Sequence, residues 1–508
     1  MLLVAGLAAL VTASACSSAE PSSGGGSTKG DTLTVVTVVT PQTLDPAKTV
    51  QNNAWLEQLA YEPLIVRKSD GTLLPGLASS WAYEGKDNTK FVLKLRPGVT
   101  FSDGGKLDAQ NVVDHFAYVK KAGGQMAPFL ADDTFAATDP TTVTITSKTP
   151  NPNFPEILTQ DYIIGGVISP AGLKATAGLG GRTRGAGPYQ IDAGQTVAGD
   201  HYTYLPNPNY YDKSAVHWSK VVIRVITSQQ SALNALRTGQ ADVAVGDPST
   251  VDAARKAGLT VAAAPLLWSG VVLADRGGTM AAPLKNPEVR QALNFATDRG
   301  AITKALFNGI GQPTAQVTVP GGYGFDPALN ETYPYDPAKA KSLLSEAGYA
   351  NGFPLRMNTP QYQQLNLIAQ ALKQQWKQVG VDLQVTDQAN ANQFTSDAFG
   401  GKYPAFMTAF GQLPIWMEGP SLFLPTAAFN PFHYADPTLQ SLYDQSSRAT
   451  GDAKAALDRQ VVAHVTNQAW FVPVVSTSLP YYARKTVDNV RTSAKEPLLS
   501  LTEITPAG

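Results

Sequence analysis

The chain of 508 residues contains one cysteine, Cys16, so no internal disulfide can stabilise its fold. Hydrophobic residues make up 43% and charged residues 16% of the chain, which is enough apolar material for a sizeable core. The fold must therefore be held by packing and hydrogen bonds. The length suits about three domain-sized units, or two large lobes.

Cys16 follows an apolar run, residues 1–11, and four small residues, 12–15. An apolar segment of roughly 7 to 15 residues before a small-residue site is typical of a secretory signal and too short to span a bilayer. We therefore expect residues 1–15 to be a signal peptide. Residues 16–30 are rich in Ser and Gly, which predicts a flexible tether with a reach of about 20 Å.

The sequence Ala13-Ser14-Ala15-Cys16 resembles a bacterial lipoprotein box, although it has Ala13 where leucine is usual and no basic residue before the apolar run. The resemblance implies a diacylglycerol on the sulfur of Cys16 and an extracytoplasmic protein anchored to the cell membrane, periplasmic where an outer membrane exists. The alternative is an ordinary secreted protein with an incidental cysteine.

Charge and motifs exclude several functions. The formal net charge of −1 argues against a nucleic-acid partner, which calls for a clustered basic face. The chain has no Gly-x-Ser-x-Gly elbow, no His-Glu-x-x-His, no phosphate loop and no cysteine pair for zinc, so we expect no enzyme activity, no cofactor and no metal site. The five histidines are scattered without ligand spacing: His115, His201, His217, His433 and His464.

Local patterns predict an α/β fold. Residues 31–39 and 221–226 have the continuous apolar character of strands that are buried on both faces. A helix capped by Ser228 and a strand at 241–245 complete a βαβ unit, which predicts a ligand cleft just after Val245, at the carboxyl ends of the strands. Further helix starts are predicted at Asp108, Asn286 and Asp336, which are good N-cap residues.

Several stretches together resemble the extracellular solute-binding proteins of family 5, which serve ABC importers of peptides and nickel. The densest match is FVLKLRPGVTFSDG at residues 91–104. The other matches, in family order, are TLDP (43–46), YEPL (61–64), DG (70–71), LPGLASSW (74–81), GPY (187–189), NYY (209–211), ALRTGQADV (235–243), VRQAL (289–293), YDPAKA (335–340) and AGY (347–349).

The resemblance implies a type II periplasmic-binding fold, with two lobes, a hinge that the chain crosses twice and an extra subdomain on the first lobe. We expect the first lobe to comprise residues 31–66, 187–275 and 471–508. The extra subdomain is predicted at 67–186 and the second lobe at 276–470.

The implied function is that of a monomeric receptor that captures oligopeptides or dipeptides between its lobes and delivers them to an ABC permease in the membrane. Closure of a hinged cleft would bury the solute and give the permease a surface to distinguish from the empty one. One alternative is the same role for a metal chelate, haem or a sugar. Another is a secreted hydrolase.

Candidate ligand contacts come from the resemblance and are less constrained than the fold. Peptide binders of the family commonly hold the ligand amine with an aspartate in a stretch that corresponds to residues 410–420. Glu418 is the only acid there, and the alternative is that it is a solvated loop acid and the ligand has no free amine. The full set of expected contacts is Val50, Gln51, Asn52, Trp268, Ser269, Gly270, Gln412, Trp416 and Glu418, with core packing as the competing role for the two tryptophans.

Overall fold

The computed structural model describes residues 30–50, 53–68, 70–307, 310–496 and 498–508. The predicted signal peptide, Cys16 and most of the tether lie outside the described residues, as do Gln51 and Asn52.

The described part of the chain contains nineteen strands. They are β1 Gly30–Thr37, β2 Ile65–Arg67, β3 Leu73–Pro75, β4 Ala78–Glu84, β5 Lys90–Leu95, β6 Asp133–Asp139, β7 Thr142–Ser147, β8 Tyr189–Ile191, β9 His201–Pro206, β10 Trp218–Val225, β11 Val243–Val245, β12 Thr260–Leu273, β13 Gly311–Pro313, β14 Phe353–Pro360, β15 Val381–Gln388, β16 Ala405–Gly411, β17 Phe471–Ala483, β18 Val487–Asp488 and β19 Thr505–Pro506.

The same residues form fourteen α-helices. They are α1 Ala54–Glu57, α2 Ala109–Ala122, α3 Phe154–Ile157, α4 Pro170–Lys174, α5 Gln229–Arg237, α6 Val251–Lys256, α7 Pro287–Phe295, α8 Arg299–Phe307, α9 Pro337–Glu346, α10 Leu365–Lys377, α11 Ala391–Phe399, α12 Ile415–Glu418, α13 Pro437–Ser446 and α14 Gly451–Asn467.

The predicted helix starts are confirmed by the capping hydrogen bonds. Asp108 accepts a hydrogen bond from the N–H of Asn111 at 2.8 Å, and Asp336 accepts one from Lys339 at 2.8 Å. Asn286 caps α7 through the N–H of Glu288 at 2.9 Å. Each bond satisfies a donor that the first helical turn would otherwise leave free.

The predicted βαβ unit is also present. Strands β10 and β11 are joined by α5 and lie on either side of β1, parallel to it. Leu33 and Val35 of β1 are buried, and the strand register pairs Val35 with Ile223 and Val243. The carboxyl ends of β1 and β11 consequently meet at one edge of the sheet.

One sheet runs through both lobes in the order β15-β14-β16-β12-β17-β11-β1-β10-β9-β8. The long antiparallel strands β12 and β17 are its middle, and they connect the lobes. Each of the two strands has neighbours in both lobes. Residues 267–273, the carboxyl-terminal half of β12, pair with β16 of the second lobe, and residues 481–483, at the carboxyl end of β17, pair with β11 of the first lobe. These two strands are the two crossings of the hinge.

The ladder between the crossing strands is interrupted at Leu266, where the register shifts between Pro265 and Leu267. A bulge of this kind bends and twists a strand locally. Gly270 lies just beyond it, and a Cβ there would meet the carbonyl oxygen of Val472 at 2.3 Å, so only glycine allows this approach of the two strands.

The composition of the hydrophobic cores indicates that the lobes divide within β12 and β17 and not at the ends of these strands. Val271 and Leu273 of β12 and Val472 of β17 belong to the core that includes Leu293, Leu355 and Trp376 in the second lobe. We therefore propose moving the predicted lobe borders, 275/276 and 470/471, into the strands near Leu266 and residues 477–478, because side chains on both sides of the predicted borders share one core.

The predicted extra subdomain has a sheet of its own, in the order β4-β5-β7-β6. Phe91 and Leu93 of β5 are fully buried with Ile145 of β7 and Phe116 of α2. The alternating burial of β5 reflects its apolar-polar alternation, since one face of the sheet packs on α2 and the other faces solvent.

Candidate functional site

A cavity of about 470 Å³ lies where the lobes and the extra subdomain meet. Thr37 and Val245, at the carboxyl ends of β1 and β11, form part of its wall, as the βαβ pattern predicts. Leu266, at the bulge of β12, and residues 411–414, at the carboxyl end of β16, form the wall on the second-lobe side. The cavity therefore lies directly on the hinge.

The cavity wall is mainly apolar and aromatic. Its rings are Trp55, Tyr162, Tyr323 and Tyr481, and its aliphatic residues include Val38, Val39, Val50, Leu413, Leu479 and Leu498. Its charged residues among the described part of the chain are Asp161 and Lys495. A few polar groups in an apolar concavity are typical of small-molecule sites, which occupy roughly 300 to 1,000 Å³.

An ionic cluster closes one side of the cavity, and we call it the clasp: Arg67, Glu156, Asp161, Tyr323 and Trp416. Arg67 lies at its centre, with Nη2 at 2.8 Å from Glu156 Oε1 and Nε at 2.9 Å from Asp161 Oδ2. Its Nη1 donates to the hydroxyl of Tyr323 at 2.5 Å. The arginine side chain is 5% exposed, so these contacts replace water around a nearly buried charge.

The clasp joins two parts of the molecule. Glu156 lies in the first turn of α3 in the extra subdomain, and it accepts hydrogen bonds from the hydroxyl of Tyr323 and from the indole Nε1–H of Trp416, the latter at 3.1 Å. The Trp416 ring also contacts Phe129 edge-on, with ring centroids 5.5 Å apart, and lies near Tyr162. Residues of the second lobe thus hold the extra subdomain against the cavity.

Burial raises the pKa of two acids beside the cavity. The pKa of Asp161 is raised to about 6, although Arg67 opposes the shift. The pKa of Glu496, to which Gln160 donates a hydrogen bond at 3.3 Å, is raised to about 8, with Asp161 as a second cause. Glu156 and Asp161 pair with Arg67 directly, whereas Glu496 is connected to the cluster through Gln160, which also donates to the carbonyl of Arg67 at 2.6 Å.

Comparison with known proteins identifies the family. The sequence model of the bacterial extracellular solute-binding proteins, family 5 middle region, matches residues 72–427. The chain belongs to this family.

The sequence is also similar to individual curated proteins. The glutathione-binding protein GsiB of Salmonella paratyphi A is 29% identical over 307 residues, which are 59% of this chain and 58% of GsiB. The chain thus spans 58% of the length of the curated relatives that it matches first.

Solved structures share the fold. HbpA2 from Haemophilus parasuis superposes with a TM-score of 0.83 at 21% identity, covering 94% of this chain and 100% of that one. DppA from Helicobacter pylori, solved with the peptide STSA, gives a TM-score of 0.72 at 20% identity over 94% of this chain and 99% of that one. The type II fold predicted for this family 5 protein is confirmed.

Two of the predicted contacts line the cavity. Val50 is 42% exposed and belongs to the wall. Gln412 also lines it and is held in place by two hydrogen bonds, since its Oε1 accepts from the N–H of Val319 at 3.0 Å and its Nε2 donates to the carbonyl of Leu413 at 2.8 Å.

Three predicted contacts at the hinge are absent from the cavity wall. Trp268 is fully buried and packs edge-on against Phe471 at 5.5 Å, so the competing role, core packing, describes it. Ser269 is 1% exposed, and Gly270 lies against Val472. These residues fall in the second-lobe half of β12, beyond the register shift at Leu266, and their role as ligand contacts stays a prediction.

Glu418 does not line the cavity either. It is fully buried at the end of α12, burial raises its pKa well above the usual range, and its Oε2 has no hydrogen-bond partner among the described residues. Neither a ligand contact nor a solvated loop acid describes it. Trp416 is likewise outside the wall, and it acts in the clasp instead.

Sequence reasoning missed Asp161, Tyr323, Arg67 and Glu156. Nothing marks them in the sequence, because they come from three separated segments, around residues 67, 156–161 and 323, that only the fold brings together. The one usable signal was the position of Asp161 and Tyr162 in a polar loop between apolar segments.

Within the described ranges, no group of three or more His, Cys, Asp or Glu side chains is placed to hold a metal ion. No helix in the described part of the chain is long and apolar enough to cross a membrane.

Proposed function

We propose that this chain is the solute receptor of an ABC importer, that it encloses a short peptide in the hinge cavity and that it delivers the peptide to a membrane permease. The observation that carries the proposal is the position of the cavity. It is bounded by both lobes and by the strands that connect them, so binding and closure are coupled.

The peptide assignment rests on the chemistry of the wall and on the relatives. Apolar and aromatic surfaces accept varied side chains, while the wall also contains the amide side chains of Gln42 and Asn53, which can bond a ligand backbone. Relatives bind glutathione and the peptide STSA by name. A metal chelate, haem or a sugar in the same cavity is the alternative solute.

Thermal-shift screening of purified residues 17–508 against di- to tetrapeptide pools tests the solute. A true ligand at 100 times its Kd adds roughly 2.7 kcal/mol to the free energy of unfolding and raises the Tm accordingly. A response to sugars, haem or chelates with none to any peptide pool would remove the peptide assignment and keep the receptor. Turnover of a solute by the pure protein would contradict the receptor role.

We also propose that Cys16 carries a lipid that anchors the receptor to the cell membrane. The apolar run, the small residues and the tether that surround Cys16 support it. Replacement of Cys16 by Ala in the producing bacterium should release the full-length protein into the soluble fraction. Unchanged membrane retention of this variant would contradict lipidation.

A further inference from the structure

Asp161 occupies an unusual position in the cavity wall. Its side chain is 15% exposed, and both of its recorded contacts involve one oxygen, Oδ2, which pairs with Arg67 and accepts a long hydrogen bond of 3.5 Å from Thr159. Oδ1 has no hydrogen-bond or ion-pair partner among the described residues. Oδ1 is not among the buried atoms that lack a partner, so this oxygen is open to the cavity that Asp161 lines.

The surrounding charges do not supply the missing partner. Arg67 is fully engaged, because its remaining nitrogens bind Glu156 and Tyr323. The other cation of the wall, Lys495, forms no ion pair with Asp161. The clasp therefore has two carboxylates, those of Glu156 and Asp161, paired with one arginine.

We propose that Asp161 binds an ammonium group of the solute through its free oxygen, which assigns the amine contact to the extra subdomain and not to Glu418 in the second lobe. The proposal rests on the proposed receptor function and narrows its solutes to those with a primary or secondary amine. An ammonium–carboxylate contact is charge-assisted, and the rings of Tyr162 and Trp55 in the same cavity wall are surfaces that favour cations.

Matched peptide pairs test the assignment by calorimetry. Each di- or tripeptide from the responding pools is compared with its N-acetylated form, which keeps the side chains and removes the positive charge. We expect the wild-type protein to bind the free-amine form at least tenfold more tightly, and Asp161→Asn to reduce that preference to less than threefold. Asp161→Glu, which retains the charge, should keep a preference.

Glu156→Gln is the control, because it removes the same charge from the same arginine at a residue that does not line the cavity. It should weaken both members of each pair and leave their ratio unchanged. A preference that survives in Asp161→Asn, or equal wild-type binding of both members, overturns the assignment while the receptor role stands. Failure of every free and acetylated peptide to bind the wild-type protein overturns both the peptide proposal and this one.

Discussion

The indole Nε1–H of Trp416 donates to Oε2 of Glu156 at 3.1 Å, and the two residues lie 260 positions apart in the chain, one in the second lobe and one in the extra subdomain. The other oxygen of Glu156 receives Arg67 and Tyr323. One carboxylate therefore fastens two parts of the molecule beside the cavity. In a hinged receptor, contacts of this kind stabilise the closed state selectively.

Tyr323→Phe should weaken closure. The substitution keeps the ring in the cavity wall but removes a hydroxyl that bonds two charged groups, Arg67 and Glu156. Hydrogen bonds to charged groups contribute about 1.5 to 3 kcal/mol each, so we expect ligand Kd to rise by tenfold or more. Calorimetry and small-angle scattering of the ligand-free variant would show weaker binding and a more extended average shape.

The matched control is Tyr335→Phe, since Tyr335 is 43% exposed and lies outside both the cavity wall and the clasp. It should leave Kd and shape unchanged. Equal ligand affinity in Tyr323→Phe and wild type would show that the clasp does not contribute to closure.

The fold was predictable because residues of the family motifs contact one another and hold the architecture together. Glu62 of the YEPL motif accepts a hydrogen bond at 2.5 Å from Tyr211 of the NYY motif, and Arg96 of the LRPG motif lies 4.7 Å from the centre of the Tyr211 ring. None of these residues lines the cavity. These motifs determine how the extra subdomain joins the first lobe. They therefore predict the architecture but not the identity of the solute.

The site was less predictable for a related reason. Val50 was predicted because it follows the first strand, and Gln412 because it lies in the stretch that corresponds to the amine-binding region of the family's peptide binders; both line the cavity. Trp268, by contrast, packs in the core against Phe471, beyond the register shift at Leu266, and no residue pattern marks that shift. The charged contacts of the clasp depend on segments that are distant in sequence and have no fixed spacing.

The stability of the ligand-free protein should fall as pH rises from about 5 to about 8. Glu496 has a pKa raised to about 8 by burial, then by Asp161 and Glu503, whereas an unfolded glutamate titrates near about 4.3. Between these values the folded state holds a proton that the unfolded state has lost, so increasing pH favours unfolding. Urea denaturation at pH 5, 6.5 and 8 measures the slope.

The same urea denaturation series on Glu496→Gln measures how much of the pH dependence of stability comes from this residue. The variant cannot ionise but keeps an oxygen for the amide of Gln160, and we expect a flatter profile. Asp161, with a pKa raised to about 6, contributes in the same direction over a lower pH range and remains in the variant. An identical pH slope in variant and wild type would contradict the assignment to Glu496.

Gly322→Ala should disturb the cavity wall at Gln412. A Cβ on Gly322 would lie 2.3 Å from Oε1 of Gln412 and 3.0 Å from the carbonyl oxygen of Val319. Gln412 would have to release the N–H of Val319, and an unpaired buried donor costs about 1 to 3 kcal/mol. Chemical denaturation should show a loss of that size, whereas Gly181→Ala, with no atom within 4 Å of its Cβ, should be neutral.

The substitution Glu418→Gln tests whether Glu418 has only a structural role or contacts the ligand. Glu418 is fully buried and its pKa is raised by burial; among the described residues, the one hydrogen-bond donor to its carboxyl group is the N–H of Leu413, at 3.5 Å. An amide has nearly the same shape and no charge to desolvate, so the free energy of unfolding at pH 7 should be unchanged or higher. Ligand Kd should stay within about twofold of wild type, because the residue does not line the cavity. A tenfold loss of affinity for free-amine peptides alone, measured by calorimetry, would return the amine contact to Glu418 and remove it from Asp161.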